Sequence, residues 1–216
     1  MSGDLFQLDD EAPWPERLGP GTVHLHAFAR AEAPAVLAAI AAVEGRAPFR
    51  HMVTPGGFTM SVAMTNCGAQ GWVSDANGYR YSPVDPLSGE PWPAMPAMLQ
   101  ALAREAAAQA GFPGFAPDAC LINRYAPGAR MSLHQDRDER NLAAPIVSVS
   151  LGLPAVFLLG GMSRRDPQRR ILLEHGDAIV WGGEDRLRYH GVQPVKDGRH
   201  GLLGALRINL TFRCSV

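Results

Sequence analysis

The chain is poor in cysteine: Cys67, Cys120 and Cys214 are its only thiols, far apart and with no CxxC pair. That excludes a disulfide framework and a cysteine-built structural zinc site, and it suits a reducing cytoplasm as the expected location. Cys120, inside "ACLINRY", reads as a small core residue. An excess of either charge is missing too. With 20 basic and 21 acidic residues the formal net charge is −1, so any polyanion site must be built locally. No apolar run approaches the roughly 20 residues that span a bilayer, and no membrane partner is expected. The opening "MSGDLFQLDDEAPWPERLGPG" has neither the basic nor the apolar segment of a secretory leader. Internal repeats and low-complexity tracts are also missing.

What remains is ordinary soluble composition, 46% hydrophobic and 19% charged over 216 residues. That is enough for one substantial core with an appended lid, and a monomer is the default. Residues 1–21 read as an extended arm. "PAVLAAIAAV" (34–43) and "AMPAMLQALAREAAAQAG" (94–111) read as helices, with Gly111 placed where a helix end favours a left-handed residue. Between them, residues 48–93 are rich in Gly, Pro, Tyr, Trp and Met on a turn-rich scaffold, which suits a lid better than a core. "FTMSVAMT" and "YRYSP" alternate there like short strands.

From residue 119 the texture changes to eight short strands with no helices between them: "ACLINRYA", "MSLHQD", "PIVSVSLGLP", "AVFLLG", "RILLEHG", "DAIVWGG", "RYHGVQPV" and "LRINLTFRC". The expected fold is mostly β with flanking helices, its core a jelly roll, the cupin-like double-stranded β-helix. The expected organisation is an arm (1–21), helices and lid (22–118) and the β core (119–216), within one globular unit.

The chemistry gathers in "MSLHQDRDER" (131–140). His134 and Asp136 are two apart, so on a strand both side chains point to one face. His190, in "RYHGVQP" near the end of the sheet, is the candidate third ligand. Two histidines and a carboxylate on one face of an octahedron suit non-haem Fe(II) and oxygen chemistry. An HxD pair alone is weak, and a surface histidine beside a solvated loop explains it as well. His24, His26, His51, His175 and His200 read as structural or surface residues.

A second cluster raises the odds. In "LRINLTFR", Arg207, Asn209 and Arg213 fall at i, i+2 and i+6, on one face of a strand otherwise made of Leu, Ile and Phe. Buried, two arginines and an amide need an anion, and the guanidinium fork fits a carboxylate bidentately. Exposed, they need only solvent. Asn123 and Tyr125 share a face in "LINRYAPG" and can add hydrogen bonds to the same anion. A facial triad with an arginine clamp makes coherent chemistry with 2-oxoglutarate and O2: one end of the oxo acid chelates iron, and the distal carboxylate meets an arginine.

"NRYAPGARMSLHQDRDE", "APIVSVSLGLPAVF", "LLEHGDAIVWGGEDRLRYHGVQP" and "RINLTFR" closely resemble the bacterial AlkB DNA-repair dioxygenases. "VTPGGFTMSVAMTNCGAQGW" and "YSPVDPLSGEPWPAMP" match the same family upstream, so the resemblance runs from about residue 47 to residue 213 and takes in the lid. It implies Fe(II) held by His134, Asp136 and His190. It implies 2-oxoglutarate held by Asn123, Tyr125, Arg207, Asn209 and Arg213, with Arg207 on the distal carboxylate and Arg213 nearer the iron.

The implied substrates are bases methylated on the Watson–Crick edge, such as 1-methyladenine and 3-methylcytosine. DNA, single-stranded by preference, comes first and RNA second; the products are formaldehyde, succinate and CO2. The lid then recognises the nucleotide. Trp72 and Tyr79 offer stacking and a backbone hydrogen bond, Asp138 accepts from the exocyclic amino group, and Tyr81, Thr54 and Met64 join the substrate wall. Arg164, in "MSRRDPQRR", is the best single phosphate contact, with Arg130 and Arg137 beside the metal motif. Glu139 and Arg140 are expected at the solvated surface. Phe58, where relatives often have tyrosine, and "GLLGA" before Leu206 depart from the family pattern and bear on lesion preference. The alternative is an oxygenase of the same core acting on a protein or small molecule.

Overall fold

The computed structural model describes residues 12–216. Residues 1–11 of the expected arm lie outside that range. The rest of the arm carries β1 (Trp14–Arg17), which pairs antiparallel with β2 (Thr22–His26). Next come α1 (Ala33–Glu44), β3 (Arg50–Val53), β4 (Thr59–Gly68), the hairpin β5 (Gly71–Asp75) and β6 (Gly78–Ser82), and α2 (Ala97–Gln109).

The eight strands expected after residue 119 are all present. They are β7 (Ala119–Tyr125), β8 (Met131–His134), β9 (Ile146–Gly152), β10 (Ala155–Leu159), β11 (Arg169–Leu173), β12 (Ala178–Trp181), β13 (His190–Val192) and β14 (Arg207–Arg213). They divide between two antiparallel sheets in jelly-roll fashion, with β10 and β11 consecutive in the smaller one. The large sheet runs β1-β2-β12-β9-β14-β7-β4-β3, and the small one β11-β10-β13-β8.

The large sheet is buried on both faces, as the seven-residue buried run of β9 shows. Its outer face (Val147, Val149, Leu151, Leu210, Phe212) packs on the apolar stripes of both helices, around Val36, Ile40, Leu99 and Leu102. Alternate residues of the same strands point between the sheets, where Phe157, Leu159, Ile171 and Leu173 of the small sheet meet Ile146, Ile179 and Trp181. Burying Leu99 completely makes its loss to alanine worth about 2–5 kcal/mol.

Two boundaries differ from the sequence expectation. α2 starts at Ala97 rather than 94 because Pro96 occupies its N-cap with extended backbone. It ends as expected: Gly111 adopts φ +93°, and the Phe112 and Gly111 amides donate to Ala107 and Ala108 carbonyls. The region 48–93 is only partly lid. Val62 to Cys67 of β4 are buried, and from Ala63 on they pair with β7, because the large sheet needs β4 to cover that strand. Only β5–β6 stands apart as its own two-stranded sheet.

Candidate active site

Strand register brings the metal candidates together. His134 ends β8 and His190 begins β13, and the two are direct cross-strand partners. Asp136 follows just past the end of β8. Its Oδ1 is 3.5 Å from His134 Nε2 and its Oδ2 is 3.8 Å from His190 Nε2. One donor atom from each residue lies within 4.8 Å of the others.

The outer contacts aim these donors. His134 Nδ1 is 2.8 Å from the Ser132 carbonyl, and His190 Nδ1 is 3.0 Å from that of Arg188. A carbonyl only accepts, so each Nδ1 carries the hydrogen and each Nε2 keeps its lone pair for the shared point. Burial, and then the neighbouring His134, push the pKa of His190 down to about 4, so its ring is neutral near pH 7 and fit to ligate. Burial works to raise the pKa of Asp136, but the Arg213 charge overrides it and holds the carboxyl well below the usual range. Arg213 donates to Asp136 Oδ2 from Nε and Nη2 at 2.9 and 2.6 Å.

Below this cluster opens a cavity of about 810 Å³. Arg207, Asn209, Thr211 and Arg213 line it from β14, and Asn123 and Tyr125 from β7. The outward residues Ile208, Leu210 and Phe212 pack on the helices, as period two requires. The expected clamp residues are therefore buried and face one cavity. Arg207 is the informative one. It is 1% exposed, its Nη2 donates to Ser150 Oγ at 3.0 Å, and its guanidinium lies 5.2 Å from the Tyr125 ring centroid. Its Nε and Nη1, like Asn123 Oδ1, have no hydrogen-bond partner among the described residues. A buried cation without a counter-charge costs several kcal/mol, so this floor is built for an anion. A ladder orients the rest: Asn123 donates to Asn209, Thr211 donates to Asn209, and Asn209 donates to Ser148 Oγ.

The mouth is built differently. Trp72 and Tyr79 stack with ring centroids 5.6 Å apart and planes 14° apart, and both line the cavity. The Trp72 indole N–H donates to Asp138 Oδ2 at 3.1 Å. Asn66, wholly buried on β4, bonds both the amide and the carbonyl of Trp72 at 3.0 Å, so the lid is clamped to the core at this residue. An Asx turn at Asp75 and Gly78 with φ +108° close the hairpin, and Arg80 pairs with Asp75 through both carboxylate oxygens.

Thr54, Met64, Arg130, Arg137 and Arg164 also reach the cavity wall, as does Phe58, which is 76% exposed at its rim. Arg164 lies over the Tyr189 ring in a turn held by Ser163 and Asp166. Its neighbour Arg169 turns away and pairs with Glu16.

Two expectations need correction. Tyr81 is not on the cavity wall; its hydroxyl donates to Glu139 Oε1 at 2.6 Å behind the lid. Glu139 is not at the surface but buried, because it is the counter-ion of both Arg186 and Arg213. Sequence reasoning also missed Thr211, Ser148, Asn66 and Trp181. Thr211 and Ser148 were readable from their alternation with core residues on β14 and β9. Trp181, whose indole N–H has no partner among the described residues, lines the cavity beside His190. Neither Asn66 nor Trp181 carried a sequence signal.

A jelly roll with two imidazoles and a carboxylate at its mouth, above a buried unpaired arginine, defines a class: oxygenases that bind Fe(II) and an oxo-dicarboxylate. The donor set fits the metal, two imidazoles and one ionised carboxylate each oriented by an outer contact. The model of the 2OG-Fe(II) oxygenase superfamily matches residues 21–213. The chain is 61% identical to the alpha-ketoglutarate-dependent dioxygenase AlkB of Salmonella typhimurium, over 97% of this chain and 96% of that one. It is 60% identical to AlkB of Escherichia coli over the same shares. Among solved structures, that of OsALKBH1 superposes with a TM-score of 0.79 at 28% identity, covering 93% of this chain and 99% of that one. The chain belongs to the 2OG-Fe(II) oxygenase superfamily and, within it, to the AlkB dioxygenases. Its cofactor is Fe(II), and 2-oxoglutarate and O2 are its cosubstrates.

Proposed function

We propose that this dioxygenase removes alkyl groups from the Watson–Crick edge of bases in nucleic acid, 1-methyladenine and 3-methylcytosine in DNA first among them. One observation carries the reading. The Trp72–Tyr79 stack and the Asp138 carboxylate stand on the same cavity wall as His134, a flat aromatic surface with an acceptor beside the oxidising centre. A flipped base needs that combination. The relatives named AlkB, and the mouse protein named nucleic acid dioxygenase ALKBH1, support it.

His134, Asp136 and His190 would hold Fe(II). Arg207 would take the distal carboxylate of 2-oxoglutarate, with Asn123, Tyr125, Asn209 and Arg213 around it. When bound, the iron with 2-oxoglutarate and O2 supplies the oxidant that hydroxylates a C–H bond. The protein does the rest. Asn66 fixes Trp72, Trp72 engages Asp138 Oδ2, and Oδ1 is left to accept from the exocyclic amino group. A carboxylate at that edge also favours a lesion whose alkylated ring is cationic. Once a methyl on a ring nitrogen carries a hydroxyl, the N–C bond breaks and formaldehyde leaves, returning the base.

Met64 and Thr54 close the wall, and the exposed Arg130, Arg137 and Arg164 would meet phosphates. Single-stranded nucleic acid is the easier substrate because no pairing must be broken. A monomer in the cytoplasm completes the reading.

The test is incubation with Fe(II), 2-oxoglutarate, ascorbate and an oligonucleotide bearing 1-methyladenine. Loss of one methyl with formation of succinate is expected. Succinate formation with an unchanged oligonucleotide would instead favour a protein or small-molecule substrate.

A further inference from the structure

A second group of metal-capable side chains lies at the other end of the β sandwich, where the edge strand β1 of the large sheet, with its neighbour β2, approaches β11, the edge of the small one. His24 and His26 are two apart on β2 and share its inward face, opposite the buried Val23 and Leu25 that pack toward the helices. Glu16 on β1 is the direct cross-strand partner of His24. From Glu16 Oε2, His26 Nε2 is 3.3 Å away and His24 Nδ1 is 4.0 Å away. One donor atom from each of the three residues lies within 4.8 Å of the others.

His24 gives the group its direction. The ring is 1% exposed, and its Nε2 is 2.9 Å from Asp177 Oδ2. Asp177 also accepts from the Ala27 and Glu174 amides, and burial notwithstanding, these bonds keep it ionised. A carboxylate only accepts, so His24 Nε2 carries the hydrogen, and Nδ1 is the ring atom that can ligate. That Nδ1 is buried, has no hydrogen-bond partner among the described residues and faces a carboxylate oxygen. The buried ring nitrogen and the carboxylate oxygen stand 4.0 Å apart with no hydrogen bond between them, an arrangement a shared cation would join. The carboxylate behind the imidazole is the outer contact that metal-binding histidines usually have.

The remaining side chains fit. The Trp14 ring stacks on His26 with centroids 3.7 Å apart and planes 9° apart, fixing that ring. Arg169 occupies Glu16 Oε1 at 2.9 Å, which leaves Oε2 to the histidines.

We propose that Glu16, His24 and His26 form a second divalent-cation site, separate from the oxidising centre, that takes zinc through two imidazoles and one carboxylate. His26 exchanges its hydrogen bond to Glu16 for the metal, moving its ring hydrogen to Nδ1, and a water completes four-coordination. The ion staples β1 to β2.

Zinc stoichiometry of the untagged full-length chain, measured by calorimetric titration and by elemental analysis after dialysis, tests this. The chain is expected to bind two zinc ions, one in each cluster. Glu16→Gln and His26→Gln, both at partly exposed positions, are each expected to bind one and to keep the wild-type dealkylation rate when loaded with iron. A retained second site should be weakened by more than about tenfold, since loss of an outer contact alone costs that much. A single equivalent in the wild type, or two equivalents at unchanged affinity in both folded variants, overturns the proposal.

Discussion

The floor and the mouth of the cavity are made from different parts of the molecule and by different rules. The floor comes from β7, β9 and β14, whose inward residues Arg207, Asn209, Arg213 and Asn123 are at most 6% exposed and fixed by sheet register. The mouth comes from a hairpin and loops: Tyr79 is 49% exposed, Phe58 76%, and the arginines stand in solvent. A buried register leaves no freedom to move a side chain without breaking the sheet, so the floor suits the invariant part of the reaction. Loops and a clamped hairpin can change residues at little cost in stability, so the mouth suits the choice of substrate.

The comparison breaks most sharply at the metal ligands. Loss of even an outer contact to a ligand costs about 10–100-fold. Asp136→Ala is therefore expected to lower kcat more than a hundredfold for every substrate, read as succinate released per minute. An Asp136→Ala protein at full rate would remove the metal assignment.

Next in size is Arg207→Met. Truncating one partner of a buried charge pair costs about 2–5 kcal/mol, so the KM for 2-oxoglutarate should rise at least about thirtyfold. The apo protein should be no less stable, because an uncompensated buried charge has gone. Thermal melts with and without 2-oxoglutarate and a redox-inert divalent metal separate the two effects. The wild type should gain stability with ligand, and the variant should gain little.

At the mouth the pattern should reverse. Stacking of a base on an aromatic ring contributes about 1–3 kcal/mol, so Trp72→Ala should weaken the methylated oligonucleotide at least about fivefold. The KM for 2-oxoglutarate should stay the same. If it moved equally, floor and mouth would not be separable. Arg164→Ala is a smaller change still, expected to weaken all sequences alike and to reduce the salt slope of binding by about 1.

Acid titration draws the same line with the least effect near neutrality. Burial opposes the ionisation of Asp177 and Asp185, yet their hydrogen bonds hold both carboxyls below the ordinary value. Groups depressed in the folded state contribute stability above the unfolded pKa, near 4, and lose it as pH falls through the folded value. Stability by circular dichroism should therefore fall as pH drops below about 6.5, where His190 stays neutral folded but protonates unfolded, and fall further below about 4 as the carboxyls protonate. At the mouth, the hydrogen bonds from Arg80 hold Asp75 at about 2, but both side chains reach solvent. Asp75→Asn should leave the melting temperature nearly unchanged.

Much of this was legible in the chain. Alternation in "LRINLTFR" puts Arg207, Asn209 and Arg213 on one face, and the same rule applied one step further includes Thr211. Eight turn-bounded apolar runs make the jelly roll, while the HxD spacing brings His134 and Asp136 together although Asp136 lies just past the end of β8. Local spacing determines these because strand periodicity depends only on backbone geometry. Resemblance, not spacing, supplied the identity of the lid residues.

Other features waited for tertiary structure. Glu139 looked like a solvated charge until Arg186 and Arg213 were found against it, since a counter-ion some 47 or 74 positions away leaves no local trace. Tyr81 turns from the lid to the buried Glu139, and Asn66 holds Trp72, for the same reason. His24 and His26 read as plain structural histidines until β1 laid Glu16 across from them. The sequence by itself determined which residues share a strand face. Only the folded chain decided which faces meet, because strand pairing and the burial of charge depend on contacts between residues far apart along it.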